Sequence, residues 1–133
     1  MNPPEGCTCI EDEVYEYEGV RFVGLGGSNR YKPGKNQYTE KQMTHRAKKL
    51  KWKIWRKKGF DILVTHSPAR GLNDGEDMCH KGFEIFNKLI EEYKPKYFVH
   101  GHVHMCYGRN YKRIDHVGDT TVINAYEKYI LEL

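Results

Sequence analysis

Two short apolar runs, each delivering histidine at its end, constrain this chain more than any other feature. Asp61-Ile62-Leu63-Val64-Thr65-His66-Ser67-Pro68 is an apolar strand stopped by a proline. Lys96-Tyr97-Phe98-Val99-His100-Gly101-His102-Val103-His104-Met105-Cys106 begins as a second buried strand and then changes character. The two stand about 35 residues apart with a helix-like segment between them, which is the spacing of a parallel βαβ unit. Such a unit puts both carboxyl ends on one edge of the sheet, where open α/β sheets place their ligand sites. Imidazoles on alternate residues at His100, His102 and His104, with Gly101 between the first two, make a poor strand and a good metal rim.

The elements around these runs follow from periodicity and turn chemistry. Residues 13–18 alternate, Gly19 turns, and residues 20–25 return, which reads as a β-hairpin. Residues 26–30 form a loop without the Lys-Ser/Thr of a phosphate-cradling turn, and the loop continues to Tyr38 through Pro33, Gly34 and Asn36. Thr39 with Gln42 three residues on is a capping box, so a helix is expected to about Lys58, closed by Gly59. Met43, Ala47, Leu50 and Ile54 are its buried stripe. A second helix, from about Lys81 to Tyr93, buries Phe83, Phe86, Leu89 and Ile90 and stops ahead of Pro95. Strands are expected around 112–117, 120–125 and 129–133, with Gly118-Asp119 as a hairpin turn. In the polar loop 67–80, Asp74, Asp77 and His80 fall between the two histidine-bearing strand ends, where they line the cleft or serve to cap and solvate the loop.

A chain of 133 residues forms one domain at most. Its 38% hydrophobic and 30% charged residues suit a soluble globular protein. There is no run of about 18 apolar residues for a membrane span, and the first residues show neither half of a signal peptide. The four cysteines are therefore expected as reduced thiols in the cytoplasm, with Cys7 and Cys9 either a two-thiol metal motif or simply two lone thiols. Residues 41–58 hold nine Lys or Arg and no acid, with Trp52 and Trp55 interleaved. A nucleic-acid surface is one reading. A solvated helix face is favoured, because the rest of the chain brings the net charge down to +4.

Thr65-His66 and Gly101-His102-Val103-His104 resemble the last two metal motifs of the calcineurin-like metallophosphoesterases. The closer likeness is to the small metallophosphoesterase-domain subfamily, and it runs through Gly24-Leu25-Gly26-Gly27-Ser28, residues 61–68 and Val122-Ile123-Asn124-Ala125. It covers nearly the whole chain but only the second half of the family's domain. The resemblance implies an α/β fold, a layered β-sandwich flanked by helices, and phosphodiester or phosphomonoester hydrolysis at a di-metal site. It implies that His66 and His102 hold one divalent ion (Mn, Fe, Zn or Mg) and His104 the other. It also puts the loop after residue 25 on the active-site side, which makes Ser28, Asn29 and Arg30 candidates for substrate contact; Asp77 and His80 are the candidate catalytic residues.

Two ions about 3.5–4 Å apart activate water and clamp the phosphoryl oxygens, and carboxylates balance their charge. The family's Asp-x-His, Gly-Asp and Gly-Asn-His-Asp motifs are missing here, Gly118-Asp119 being at the wrong end of the chain. Two classes of function are thus expected. One is a phosphoesterase completed by a separately encoded first half or by other copies of the chain. The other is a catalytically weak fragment that binds metal through the histidines or a polyanion through the basic helix. An uncovered apolar face of even about 500 Å² costs ~12 kcal/mol, so a simple monomer is not expected. The βαβ reading requires His66 and His102 to lie within about 10 Å of each other, since one ion cannot be shared across more.

Overall fold

The structure, a computed structural model, describes residues 2–105 and 112–133. The end of the histidine segment at Cys106, with Tyr107, Gly108 and Arg109 beyond it, lies outside the described residues. The strands are β1 (Val14–Tyr17), β2 (Val20–Leu25), β3 (Ser28–Asn29), β4 (Gln37–Tyr38), β5 (Ile62–Thr65), β6 (Tyr97–His100), β7 (Ile114–Val117) and β8 (Thr120–Asn124). The helices are α1 (Glu40–Arg56) and α2 (Glu84–Tyr93). Six strands form one sheet in the order β1-β2-β5-β6-β8-β7, with β3 and β4 paired separately. The four central strands are parallel and the two edges antiparallel. This is the mixed α/β class expected, one six-stranded sheet flanked by helices; in place of the second sheet of a sandwich, the described residues outside it form only the two-residue pair β3–β4.

Near-continuous apolar runs such as Ile62-Leu63-Val64 suit strands that are covered on both faces. Register lines up Val23, Leu63, Phe98 and Val122 in a row across the sheet. That row packs against Met43, Ala47, Leu50 and Ile54 of α1 and Phe86, Leu89 and Ile90 of α2 in one core. Each such side chain contributes about 1.5–3 kcal/mol on full burial, so this layer dominates stability. Both helices lie on this face. Alternate positions turn Phe22, Val64, Tyr97 and Val99 to the other face, where they are only half-buried.

Helix boundaries follow local chemistry. Thr39 and Gln42 form the capping box, with Gln42 N donating to Thr39 Oγ1 at 3.2 Å and Thr39 N to Gln42 Oε1 at 2.9 Å. α1 ends two residues earlier than expected because Lys58 and Gly59 turn left-handed, and Gly59 N donates back to Ile54 O. α2 starts at Glu84 rather than near Lys81. Residues 81–83 run beside 68–70, with Phe83 N donating to Pro68 O, and Gly82 is needed because a Cβ there would meet the Ala69 carbonyl carbon at 2.3 Å. Phe83 cannot cap α2 with its side chain, so Glu40 of α1 reaches across and accepts from Glu84 N and Ile85 N.

Two expectations need correction. Residues 129–133 form no strand. Glu127 has a φ of 61°, Lys128 N donates to Tyr126 O, and Arg113 holds the Tyr126 and Lys128 carbonyls, so the chain turns away after β8. Residues 31–38, expected as loop alone, supply β4, which pairs with β3. Four of the nine cations of residues 41–58 are ion-paired: Arg46 meets Glu11 and Asp12, Lys51 meets Glu92, Lys53 meets Glu13 and Lys57 meets Glu16.

Candidate metal centre

β5 and β6 run parallel, and their carboxyl ends share one edge. Gly101 N donates to His66 O at 3.0 Å, which ties the two strand ends together. Thr65 Oγ1 donates to Ser67 O and Ser67 Oγ to Gly27 O, so the buried hydroxyls around His66 are spent on backbone. His102 sits at φ 65°, a left-handed conformation that costs a non-glycine residue about 1–2 kcal/mol. The cost is held in place by Val103, whose carbonyl accepts from Asn124 Nδ2 at 2.9 Å, while Ala125 N donates to His100 O. Strain of this kind persists where surrounding structure over-determines it, typically at ligand sites.

The two imidazoles meet. His66 Nε2 lies 2.8 Å from His102 Nδ1, far inside the 10 Å limit. His102 Nε2 lies 2.6 Å from the Cys79 carbonyl oxygen, which can only accept, so that nitrogen carries the proton and Nδ1 presents a lone pair. Two adjacent nitrogens each about 2.0–2.1 Å from one ion stand ~2.9 Å apart at a right angle, close to the separation seen. Burial first, then the neighbouring imidazoles, hold His66 below its ordinary pKa; burial also holds His102 down. Both are neutral near pH 7, the form that ligates.

The remaining histidines divide. His104 is exposed, its ring 4.9 Å from that of Tyr126, and its charge reaches both His66 and His102. It does not join the pair in a tight cluster. His100 corrects the picture of three alternate rim imidazoles: as the last residue of β6 it shares the helix-side face with Phe98, is 2% exposed, and has its pKa pushed by burial to about 4.

A cleft of about 620 Å³ opens over the pair, lined among others by Glu11, Ser28, Cys79 and His80. Asp77 Oδ2 accepts from Cys79 Sγ at 2.7 Å and lies 2.7 Å from His80 Nδ1, with Sγ 3.2 Å from that nitrogen. The hydrogen bond from Cys79, then that from His80, hold the Asp77 carboxyl low, while burial and then Asp77 push the Cys79 thiol up. His80 leans over His102, ring centroids 5.0 Å apart. Sequence reasoning passed over Cys79, although Asp77-Met78-Cys79-His80 carries three donor types in four residues. It also passed over Glu11, which reaches the cleft through a bridge to Gly24 and is held by Arg46. Asn29 and Arg30 are otherwise engaged: Asn29 Nδ2 donates to the Lys81 and Gly82 carbonyls, and Arg30 Nη2 to Gln37 O.

Residues 6–106 match the family model described as calcineurin-like phosphoesterase. Among curated relatives, a UPF0046 protein of Caenorhabditis elegans is 30% identical over 90% of this chain and 41% of its own length. An uncharacterized protein of Methanocaldococcus jannaschii is 29% identical over 90% of this chain and 54% of its own. The chain thus spans about half the length of the curated relatives it matches, or less. Among solved structures, the crystal structure of TT1561 of Thermus thermophilus superposes with a TM-score of 0.57 at 15% identity, covering 88% of this chain and 48% of that one. The family model spans well over half of the sequence, and on that match the chain belongs to the calcineurin-like phosphoesterase family.

Proposed function

We propose that this chain serves metal-dependent hydrolysis of a phosphate mono- or diester, with His66 Nε2 and His102 Nδ1 on one divalent cation and His104 on a second. The observation that carries this reading is the 2.8 Å approach of the two ring nitrogens at the carboxyl edge of β5 and β6, with the His102 tautomer set by the Cys79 carbonyl. A divalent cation of the Mn, Fe, Zn or Mg kind supplies positive charge to phosphoryl oxygens and makes water acidic near neutral pH. Asn124 fixes the loop that carries His102, and Glu11 brings a carboxylate to the cleft under the control of Arg46. Further ligands come from outside these 133 residues, and a partner such as another copy of the chain covers the half-buried face of Phe22, Val64, Tyr97 and Val99. A reducing compartment such as the cytoplasm keeps the thiols free for this setting.

Two measurements on the purified chain test the proposal: metal content, and hydrolysis of bis(p-nitrophenyl) phosphate with added Mn²⁺. A retained divalent ion is expected, lost in His66→Ala and His102→Ala. Hydrolysis is expected to be slow and dependent on that ion, because each missing catalytic group is worth about 10²–10⁴-fold. Retention with no hydrolysis would reassign the chain to metal binding alone. Hydrolysis indifferent to metal and to both histidines would overturn the proposal.

A further inference from the structure

The Asp77–Cys79–His80 loop does something the histidine pair does not. Among the described residues it is the one group of three or more metal-type donors whose ligand atoms all lie within 4.8 Å of one another. We propose that these three side chains, Asp77 through Oδ2, Cys79 through Sγ and His80 through Nδ1, form a separate thiolate site for a thiophilic divalent cation of the zinc type.

The donor set fits such an ion. One thiolate, one imidazole and one carboxylate are the three ligand types zinc takes, and three protein ligands leave a fourth position open. The three atoms already converge, at 2.7, 2.7 and 3.2 Å from one another, around shared protons. Zinc at about 2.3 Å from sulfur and 2.0–2.1 Å from nitrogen sets a tetrahedral S···N edge of ~3.6 Å, so the loop opens by less than ~1 Å when the cation replaces those protons. Binding releases the Cys79 proton to solvent and involves no change of oxidation state.

The loop is built to bring the donors together. Gly75 N donates to His80 O, and His80 N and Lys81 N both donate to Asp77 O. Asp74 accepts from Gly71 N and Gly82 N, closing the loop at its base. A Cβ at residue 75 would stand 2.5 Å from the His80 Cβ and 2.9 Å from Asp77 Oδ1, so only glycine lets the donors approach. The Cys79 carbonyl accepts from His102 Nε2, which sets this site against the histidine pair without sharing its donor atoms. Asp77 and His80 are then ligands, in place of the catalytic role their position in the sequence suggests.

Cobalt(II) as the probe tests the site. Titration of the purified chain with Co²⁺ is expected to give a thiolate-to-cobalt charge-transfer band in the near ultraviolet, saturating at one cation per chain for this band. Cys79→Ser is expected to abolish the band and weaken binding of that cation at least about tenfold. The double variant Cys7→Ser, Cys9→Ser and the variant His66→Ala are expected to keep it; the last separates this site from the phosphoesterase reading. A band that survives Cys79→Ser, or cobalt bound with no thiolate band, would overturn the inference while leaving the histidine pair untouched.

Discussion

Asn124→Ala probes the joint between fold and site. Asn124 closes β8 with its side chain 1% exposed, donating from Nδ2 to Val103 O at 2.9 Å and accepting from Tyr126 N at 3.0 Å on Oδ1. Alanine removes both partners, and each polar group stripped of its partner away from water costs about 1–3 kcal/mol. The expected loss is ~2–4 kcal/mol, a large part of the 5–15 kcal/mol typical of a whole domain. For a chain of this size each kcal/mol moves Tm by roughly 3–5 °C, so a fall of about 6–20 °C follows. Asn124→Asp is expected to be worse, since it turns a buried carboxylate toward the Val103 carbonyl where the amide had donated. Urea unfolding followed by far-ultraviolet circular dichroism gives the midpoints, and metal content follows the same order because Val103 sits between His102 and His104. An Asn124→Ala variant within about 0.5 kcal/mol of the parent, or an aspartate variant more stable than the alanine one, refutes the reasoning.

Three further outcomes are expected. His100 titrates near 4 in the fold against an ordinary 6.5, so the unfolded chain takes up the proton first and stability falls as pH drops from 6.5 to about 4, by ~3 kcal/mol; unfolding of His100→Phe across that range is to show a shallower slope than the parent, and equal slopes count against burial as the cause. Asp61 is held low, first by the Arg21 side-chain hydrogen bond, so its contribution is present above the ordinary value of 3.8 and is lost as pH falls below it; acid unfolding of Asp61→Asn is to be less steep in that lower range, and an unchanged acid limb rejects the assignment. Light scattering is expected to give a mass above 15.7 kDa for the chain at micromolar concentration, because the sheet face bearing Phe22, Val64, Tyr97 and Val99 is only half-buried; a monodisperse particle of 15.7 kDa with a cooperative transition shows that the chain closes its own core.

How far the sequence spoke depended on whether the deciding contact was local. The β5 and β6 runs and the His66–His102 meeting were legible because short continuous apolar runs and βαβ spacing fix direction and edge together. α1 was legible from one capping box and one stripe. His100 was misplaced though the signal existed: strand alternation puts it with Phe98, two residues before, and so inside. The 129–133 segment has β-forming residues, but a strand needs a neighbour, and the turn at Glu127 takes it away from β8. Glu11 and the clustering of Asp77, Cys79 and His80 were hidden for another reason. They depend on a bridge to Gly24 and on loop closure by Asp74 and Gly75, contacts with no periodic signature.

In the proposed function, β5 and β6 deliver two imidazoles to one divalent ion. Anomalous diffraction from crystals of this chain grown with Mn²⁺ measures it directly. A peak within about 2.0–2.3 Å of both His66 Nε2 and His102 Nδ1 is predicted, with His102 Nε2 still on the Cys79 carbonyl. Manganese density only elsewhere, with the two rings still hydrogen-bonded to each other at 2.8 Å, would contradict it.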